Sequence, residues 1–374
     1  MGIRHEHLGN VRSLVVKLGT QLLSTSAGRL DSAFVATIAG QVAELCKQGV
    51  RVTIVSSGAI GCGLGELGLS QRPTDLGKLQ AVAAVGQRRL MDVWADAFEP
   101  HKLPVAQLLL TRQDIDDRTR FLNLRNTISA VHEMKAVPIV NENDTVSTAE
   151  LVKITFGDND ILAALLAHAL HADLLVLLTV VDGLLDKDDQ AVRLVRHARE
   201  TRELVREEKS PLGKGGMDSK VLAARMVNDA GDAMVIADGR MDRILPRLLA
   251  GEELGTLFVP EASRKLSSRS RWIGAVRPAG TIVIDDGARR ALVEQNKSLL
   301  PAGIVKVEGE FVRGDVVAIR GADGKIVARG LSNYSAADTA LIRGKKTHQV
   351  RELLAESAYD EVVHRDNLVL ERNS

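Results

Sequence analysis

Cysteine is scarce in this chain. Cys46 and Cys62 are the only two among 374 residues, and neither stands in a CxxC pair. Two such residues exclude a disulfide framework, so the sequence predicts a protein of a reducing compartment, the cytoplasm. An excess of charge is missing as well. The formal net charge of +1 excludes a global field that would gather nucleic acid or a membrane surface. Met1–Asn10 is polar and lacks the apolar core of a secretory signal, and Glu6 stands where N-myristoylation needs Ser or Thr. Solenoid-type repeats and low-complexity tracts are absent. One apolar run, Ile161–Val181, is long enough to invite a membrane reading. His168, His171 and Asp173 lie inside it, at a high cost in lipid. A buried helix, a turn at His171–Asp173 and a buried strand account for it better, so no membrane partner is expected.

What is present is alternation. Apolar runs at Ser13–Lys17, Val52–Ser56, Val105–Leu109, Val137–Val140, Leu174–Thr179 and Met234–Ala237 read as strands. Helical periods cover Ser32–Lys47, Leu76–Ala97, Thr119–Lys135, Asp160–His171 and Ser219–Ala230. Strands alternating with helices of this length predict an α/β fold, an open and mainly parallel sheet sandwiched by helices. Right-handed crossovers then set most strand-to-helix loops along one edge. The pattern changes after Pro260. Residues 261–279 carry Arg264, Lys265, Arg269, Arg271 and Arg277 among serines, and read as a linker. Asp-Gly and Gly-Asp turns then separate short strands at Thr281–Ile284, Ile304–Glu308, Val316–Arg320 and Ile326–Leu331. The expected organisation is a first domain over 1–260, the linker, a small β-rich barrel over 280–366, and a C-terminal tail over 367–374.

The chemistry gathers where strands end. Pro138-Ile139-Val140 empties into Asn141-Glu142-Asn143-Asp144-Thr145, which is either an Asx-rich turn or a site for an ammonium group or metal ion. Lys17 ends the first strand beside Gly19 and is either a solvated lysine or a phosphate contact. Ser56-Ser57-Gly58-Ala59-Ile60-Gly61 offers N–H groups and hydroxyls to a carboxylate or phosphate. Gly63-Leu64-Gly65-Glu66-Leu67-Gly68 matches the dinucleotide fingerprint in form. It starts too far past its strand, and no acidic residue closes a second strand at the required distance. Gly157-Asp158-Asn159-Asp160 opens an apolar helix, as an N-cap or as carboxylates that order lysines or bind a metal. Gly213-Lys214-Gly215-Gly216-Met217-Asp218-Ser219-Lys220 combines a glycine nest, two lysines and a helix start, which favours a nucleotide phosphate over a flexible loop. His168 and His171 lack further ligands at zinc spacing.

In order and combination these segments resemble the bacterial glutamate 5-kinases of the amino acid kinase superfamily. The likeness extends to Asp114–Arg125, similar to that family's acidic and arginine-bearing segment. Residues from Ala279 to about Asp366 resemble the PUA domain, an RNA-binding-type module. The resemblance implies transfer of the ATP γ-phosphoryl group, with Mg²⁺, to the side-chain carboxylate of L-glutamate, giving glutamyl 5-phosphate for proline biosynthesis. It implies Lys17, Lys220 and Asp160 as catalytic residues, the last orienting the two lysines. Ser57, Gly58, Ala59, Asn141, Asp144 and Asn159 would serve the glutamate. Lys17, Thr179, Val180 and the run Lys214, Gly215, Gly216, Met217, Asp218, Ser219 and Lys220 would serve ATP. The metal ligands stay unassigned. Val180 departs from the family's acidic residue at that position, which removes a side-chain bond to the nucleotide, and Asp182 is a candidate substitute. The resemblance further implies a homo-oligomer, feedback inhibition by proline, functional coupling to glutamyl phosphate reductase, and RNA as an additional partner. Rival readings are a superfamily kinase for acetylglutamate, aspartate or a nucleoside monophosphate, an RNA-binding protein, and a dehydrogenase.

Overall fold

In the computed structural model the structure describes residues 2–25, 30–146, 159–186, 188, 190–196, 201, 217–260, 267–354 and 359–371. The chain divides into two compact units, Met1–Lys265 and Leu266–Ser374.

The first unit is built on eight strands: β1 (Ser13–Leu18), β2 (Arg51–Ser56), β3 (Val105–Leu110), β4 (Val137–Glu142), β5 (Leu174–Thr179), β6 (Leu194–Val195), β7 (Ala233–Asp238) and β8 (Thr256–Phe258). They form one sheet in the order β3-β4-β2-β1-β5-β7-β8-β6. Pairing is parallel from β3 through β7, and β8 joins β7 antiparallel. Every residue of β1 and β4 is buried, as expected of strands covered by helices on both faces. Leu18 pairs with both Ser56 and Leu178, and Val55 with Val140, so several strands end along one edge. From β1 the chain crosses to β2 on one side. From β5 it crosses to β7 on the other. The carboxyl ends of β1 and β5 therefore flank a topological switch point, where such sheets bind ligands.

The apolar run resolves into the helix Asn159–Leu170, His171 at φ 53°, and β5. Among the described residues no helix is long and apolar enough to cross a membrane. Asp173 accepts the Arg12 and Ser13 N–H groups, each at 3.0 Å, and so anchors the start of β1. At the opposite end of the sheet Arg4 is buried and donates to four carbonyls, those of Arg193, Glu252, Leu254 and Gly255, at 2.7–3.1 Å.

The glycine-rich run is a packing device. Gly63 and Gly65 lie inside the helix Ala59–Glu66, and Gly68 follows it. A Cβ on Gly63 would stand 1.9 Å from the Val82 carbonyl oxygen, and one on Gly86 would stand 1.8 Å from that of Ala59. The helix Leu76–Phe98 therefore meets its neighbour backbone to backbone. The dinucleotide reading fails because Gly63, its first glycine, is pressed against the Val82 backbone, with no room there for a pyrophosphate.

The second unit carries β9 (Gly280–Ile284), β10 (Ile304–Gly309), β11 (Val316–Arg320), β12 (Ile326–Leu331) and β13 (Leu368–Leu370), in the order β10-β9-β11-β12-β13. Two sequence expectations change here. Part of the expected linker is the helix Ser268–Ala275, whose Arg271, Trp272 and Ile273 are buried, while Arg329 of β12 donates to the Gly274 carbonyl. The expected tail supplies β13, whose Leu370 pairs with Ala328. Arginines dominate the composition of the first stretch and hide its apolar helix face, and a three-residue strand is too short to show a period.

Candidate active site

Three elements bring charge to the switch point. Lys17 is the penultimate residue of β1. Asp160 lies in the first turn of Asn159–Leu170, and Lys220 in the first turn of the helix Met217–Asp229. The Asp160 carboxylate receives Lys17 Nζ at 2.5 Å on one oxygen and Lys220 Nζ at 2.9 Å on the other. The Ser219 hydroxyl donates to the same carboxylate at 3.1 Å. Asp160 is fully buried, and its lysine partners are 6% and 8% exposed. Burial by itself would raise the Asp160 carboxyl, but the two ammonium groups outweigh it and hold the group below the usual carboxylate range. One anion thus orients two cations, and the set carries surplus positive charge at a helix N-terminus.

Beside it runs a chain of amides. Asn159 Nδ2 donates to Ser57 Oγ at 2.8 Å and to Asn141 Oδ1 at 3.1 Å. Asn141 Nδ2 donates to Gln87 Oε1 at 2.9 Å, while its Oδ1 also accepts the Glu142 N–H. Gly58, at φ 107°, turns the chain from β2 into the helix that begins at Ala59, a conformation that suits glycine. Trp94 donates its indole N–H to Ser56 Oγ at 3.0 Å and fixes the strand end from below. Asp144 is half-buried on the turn after β4, where the Asn143 N–H donates to the Leu110 carbonyl.

The residues expected to serve ATP are described less completely. Thr179 ends β5, and its carbonyl accepts the Gly239 N–H at 2.9 Å. Val180 packs against the apolar core. Asp182, the candidate substitute, pairs with Arg193 at 2.8 Å and accepts the Gly255 N–H. Met217 and Asp218 open their helix together with Ser219 and Lys220. Lys214, Gly215, Gly216, Gly157 and Asp158 lie outside the described residues.

The structure therefore brings together Lys17, Ser57, Asn141, Asn159, Asp160, Ser219 and Lys220. The acidic segment near Asp114 is turned on itself: Asp114 accepts the Thr111 N–H and hydroxyl at 2.7 and 2.8 Å and pairs with Arg120. His168 is buried within its helix, and among the described residues no group of three His, Cys, Asp or Glu is placed to hold a metal ion. Sequence reading misses Gln87. The available signal is a glutamine in the buried stripe of Leu76–Phe98, between Ala83 and Leu90.

Residues 12–238 match the amino acid kinase family, and residues 280–354 the PUA domain. The chain is 44% identical over 378 residues to the glutamate 5-kinase of Methylococcus capsulatus, covering 99% of this chain and 100% of that one. It is 43% identical over 369 residues to the glutamate 5-kinase of Caldanaerobacter subterraneus subsp. tengcongensis, covering 96% and 97%. The chain belongs to the glutamate 5-kinase family. Its amino acid kinase match contains the whole Lys17–Asp160–Lys220 set, and its PUA match falls within the second unit. Among solved structures, the carbamate kinase from Giardia lamblia bound to AMP-PNP covers 67% of this glutamate 5-kinase family member and 99% of its own chain, at 18% identity and a TM-score of 0.48.

Proposed function

We propose that this chain transfers the γ-phosphoryl group of ATP to the side-chain carboxylate of L-glutamate, the first step toward proline. Family membership supports the reaction, and the observation that carries it to this molecule is the buried Lys17–Asp160–Lys220 set at the switch point. A carboxylate oxygen of glutamate attacks the γ-phosphorus, the bond to the ADP oxygen breaks, and glutamyl 5-phosphate and ADP result. No proton moves, because the nucleophile is already an anion at neutral pH. The protein's task is to neutralise charge on the transferring group and hold donor and acceptor in line. Lys17 and Lys220 supply that charge, and Asp160 keeps them apart from each other and aimed.

Ser57, Asn141, Asn159 and Asp144 would hold the amino acid, with Gly58 and Ala59 lending close backbone. Thr179 and the segment from Lys214 to Lys220 would hold ATP. The described residues offer no dedicated Mg²⁺ cage, since both Asp160 oxygens face ammonium groups. Mg²⁺ would enter on the phosphate oxygens of ATP, which suits an ion that keeps few protein ligands. We extend the same proposal to a cytosolic homo-oligomer that proline inhibits at the glutamate end of the site and that works beside glutamyl phosphate reductase. RNA would be a ligand of the second unit alone.

The test is an ATP- and Mg²⁺-dependent assay with glutamate, in which hydroxylamine traps the acyl phosphate. Wild type should form the hydroxamate. Lys220→Ala should lose roughly 10²–10³-fold in kcat, the scale for removing a charge-stabilising donor. Near-normal turnover in that variant would overturn the assignment.

A further inference from the structure

The amide chain has only one self-consistent polarity, which the Glu142 backbone N–H and the Gln87 side chain hold from two sides of Asn141. The Glu142 N–H can only donate, and it meets Asn141 Oδ1 at 2.9 Å. Asn141 must therefore turn its oxygen toward Glu142 and its Nδ2 toward Gln87, whose Oε1 accepts at 2.9 Å. Asn159 then has to present Nδ2 to the same Asn141 oxygen, at 3.1 Å. The second hydrogen of that nitrogen goes to Ser57 Oγ at 2.8 Å. A hydroxyl whose oxygen accepts in this way keeps its own hydrogen to give. A Gln87 amide turned the other way would set two donors face to face at Asn141.

We infer that Gln87 is a positioning residue for the substrate. It locks the Asn141 amide and, through Asn159, commits the Ser57 hydroxyl to donate toward a carboxylate of the bound amino acid. The inference rests on the glutamate kinase reading above and deepens it. Gln87 is 8% exposed and acts through Asn141, itself 3% exposed. Its place is set by the residue before it. Gly86 sits against the Ala59 carbonyl, which lets the helix Leu76–Phe98 approach closely enough for the glutamine to reach β4. An apolar residue at position 87 would leave the Asn141 amide without an acceptor on that side and free its plane to turn, and the order would be lost along the chain to Ser57.

The experiment compares wild type, Gln87→Leu, Gln87→Glu and Lys220→Ala in the hydroxylamine assay, with thermal melts of each. Leucine removes the acceptor at similar volume, and glutamate keeps an acceptor oxygen in its place. For Gln87→Leu, the KM for glutamate should rise roughly ten- to a hundredfold, the scale of one misdirected hydrogen bond to a charged group, with the KM for ATP within about twofold. For Gln87→Glu the glutamate KM should stay within about threefold of wild type. A purely structural role would lower melting temperature and active fraction without separating the two KM values. Should Gln87→Leu fail to melt cooperatively, Gln87→Met carries the same expectations. An unchanged glutamate KM in the apolar variant, an equal rise in both KM values, or equal damage in Gln87→Glu would overturn the positioning role. A wild type that forms no hydroxamate would instead overturn the reading of function beneath it.

Discussion

Asp160 is a single, fully buried carboxylate shared by two ammonium groups. Asn at this position would keep the shape and remove the charge. Two buried ammonium groups would then repel each other and lose their fixed geometry. Breaking a buried ion pair from one side costs about 3–5 kcal/mol. Asp160→Asn is therefore expected to lower the chemical denaturation midpoint by a corresponding amount and kcat by about 10²-fold or more. Denaturant titration and the hydroxamate assay on one preparation check both. A variant that lost activity at unchanged stability would mean that the carboxylate contacts a ligand and does not order the lysines. Asp160 and Lys220 are legible in sequence because each opens a helix within a polar cluster, and Lys17 because it ends a strand. Gln87 is not, since a glutamine in a helical stripe is ordinary until its tertiary partner is known.

At the scale of elements, the helix pair Ala59–Glu66 and Leu76–Phe98 divides the glycines by role. Gly63→Ala would drive a methyl group into the Val82 carbonyl and should destabilise by about 2–4 kcal/mol, an overpacking cost at the high end because backbone must move. Gly65 has nothing within 4 Å of its absent Cβ and lies in the same helix. Gly65→Ala should therefore stabilise by about 0.5–1 kcal/mol. Urea midpoints of the two variants separate these outcomes. A sequence shows both as glycine in one motif, and only the facing helix tells them apart. Strand and helix interiors were readable because the apolar runs of the one and the helical periods of the other extend over many residues. The three-residue strand β8, between β7 and β6, and the helix inside the arginine-rich stretch were not, because burial there is a property of contacts between distant segments. A second test concerns His132 on the helix Arg118–Glu133, whose Nε2 lies 3.0 Å from the Thr53 hydroxyl of β2. Burial, aided by Arg51, pushes its pKa down to about 4. The unfolded chain takes up a proton near pH 6.5 that the folded chain refuses, so this histidine makes stability fall as pH drops from about 6.5 toward 4. Between pH 7 and 5, His132→Asn should show a flatter dependence of its urea midpoint than wild type.

At the scale of the whole molecule, the described parts of the candidate site and a continuous apolar core lie within Met1–Lys265, while the second unit has its own core around Ile282, Val317, Ile319 and Tyr334. A chain ending at residue 265 is expected to unfold cooperatively and to keep hydroxamate formation within several-fold of the full chain. An inactive but folded fragment would show that the second unit completes the site. The sheet order carries a further consequence, for synthesis. β1 is made first and ends at the centre, yet its partner on one side, β5, begins at Leu174. Until then a strand with four apolar residues in six has one unpaired edge, the kind of edge that recruits other chains. At about 5–20 residues per second, that edge waits roughly ten to thirty seconds on the ribosome. Chaperone demand should therefore peak before the first half of the protein is finished, and Lys17 and Lys220 cannot meet on Asp160 until Lys220 has emerged.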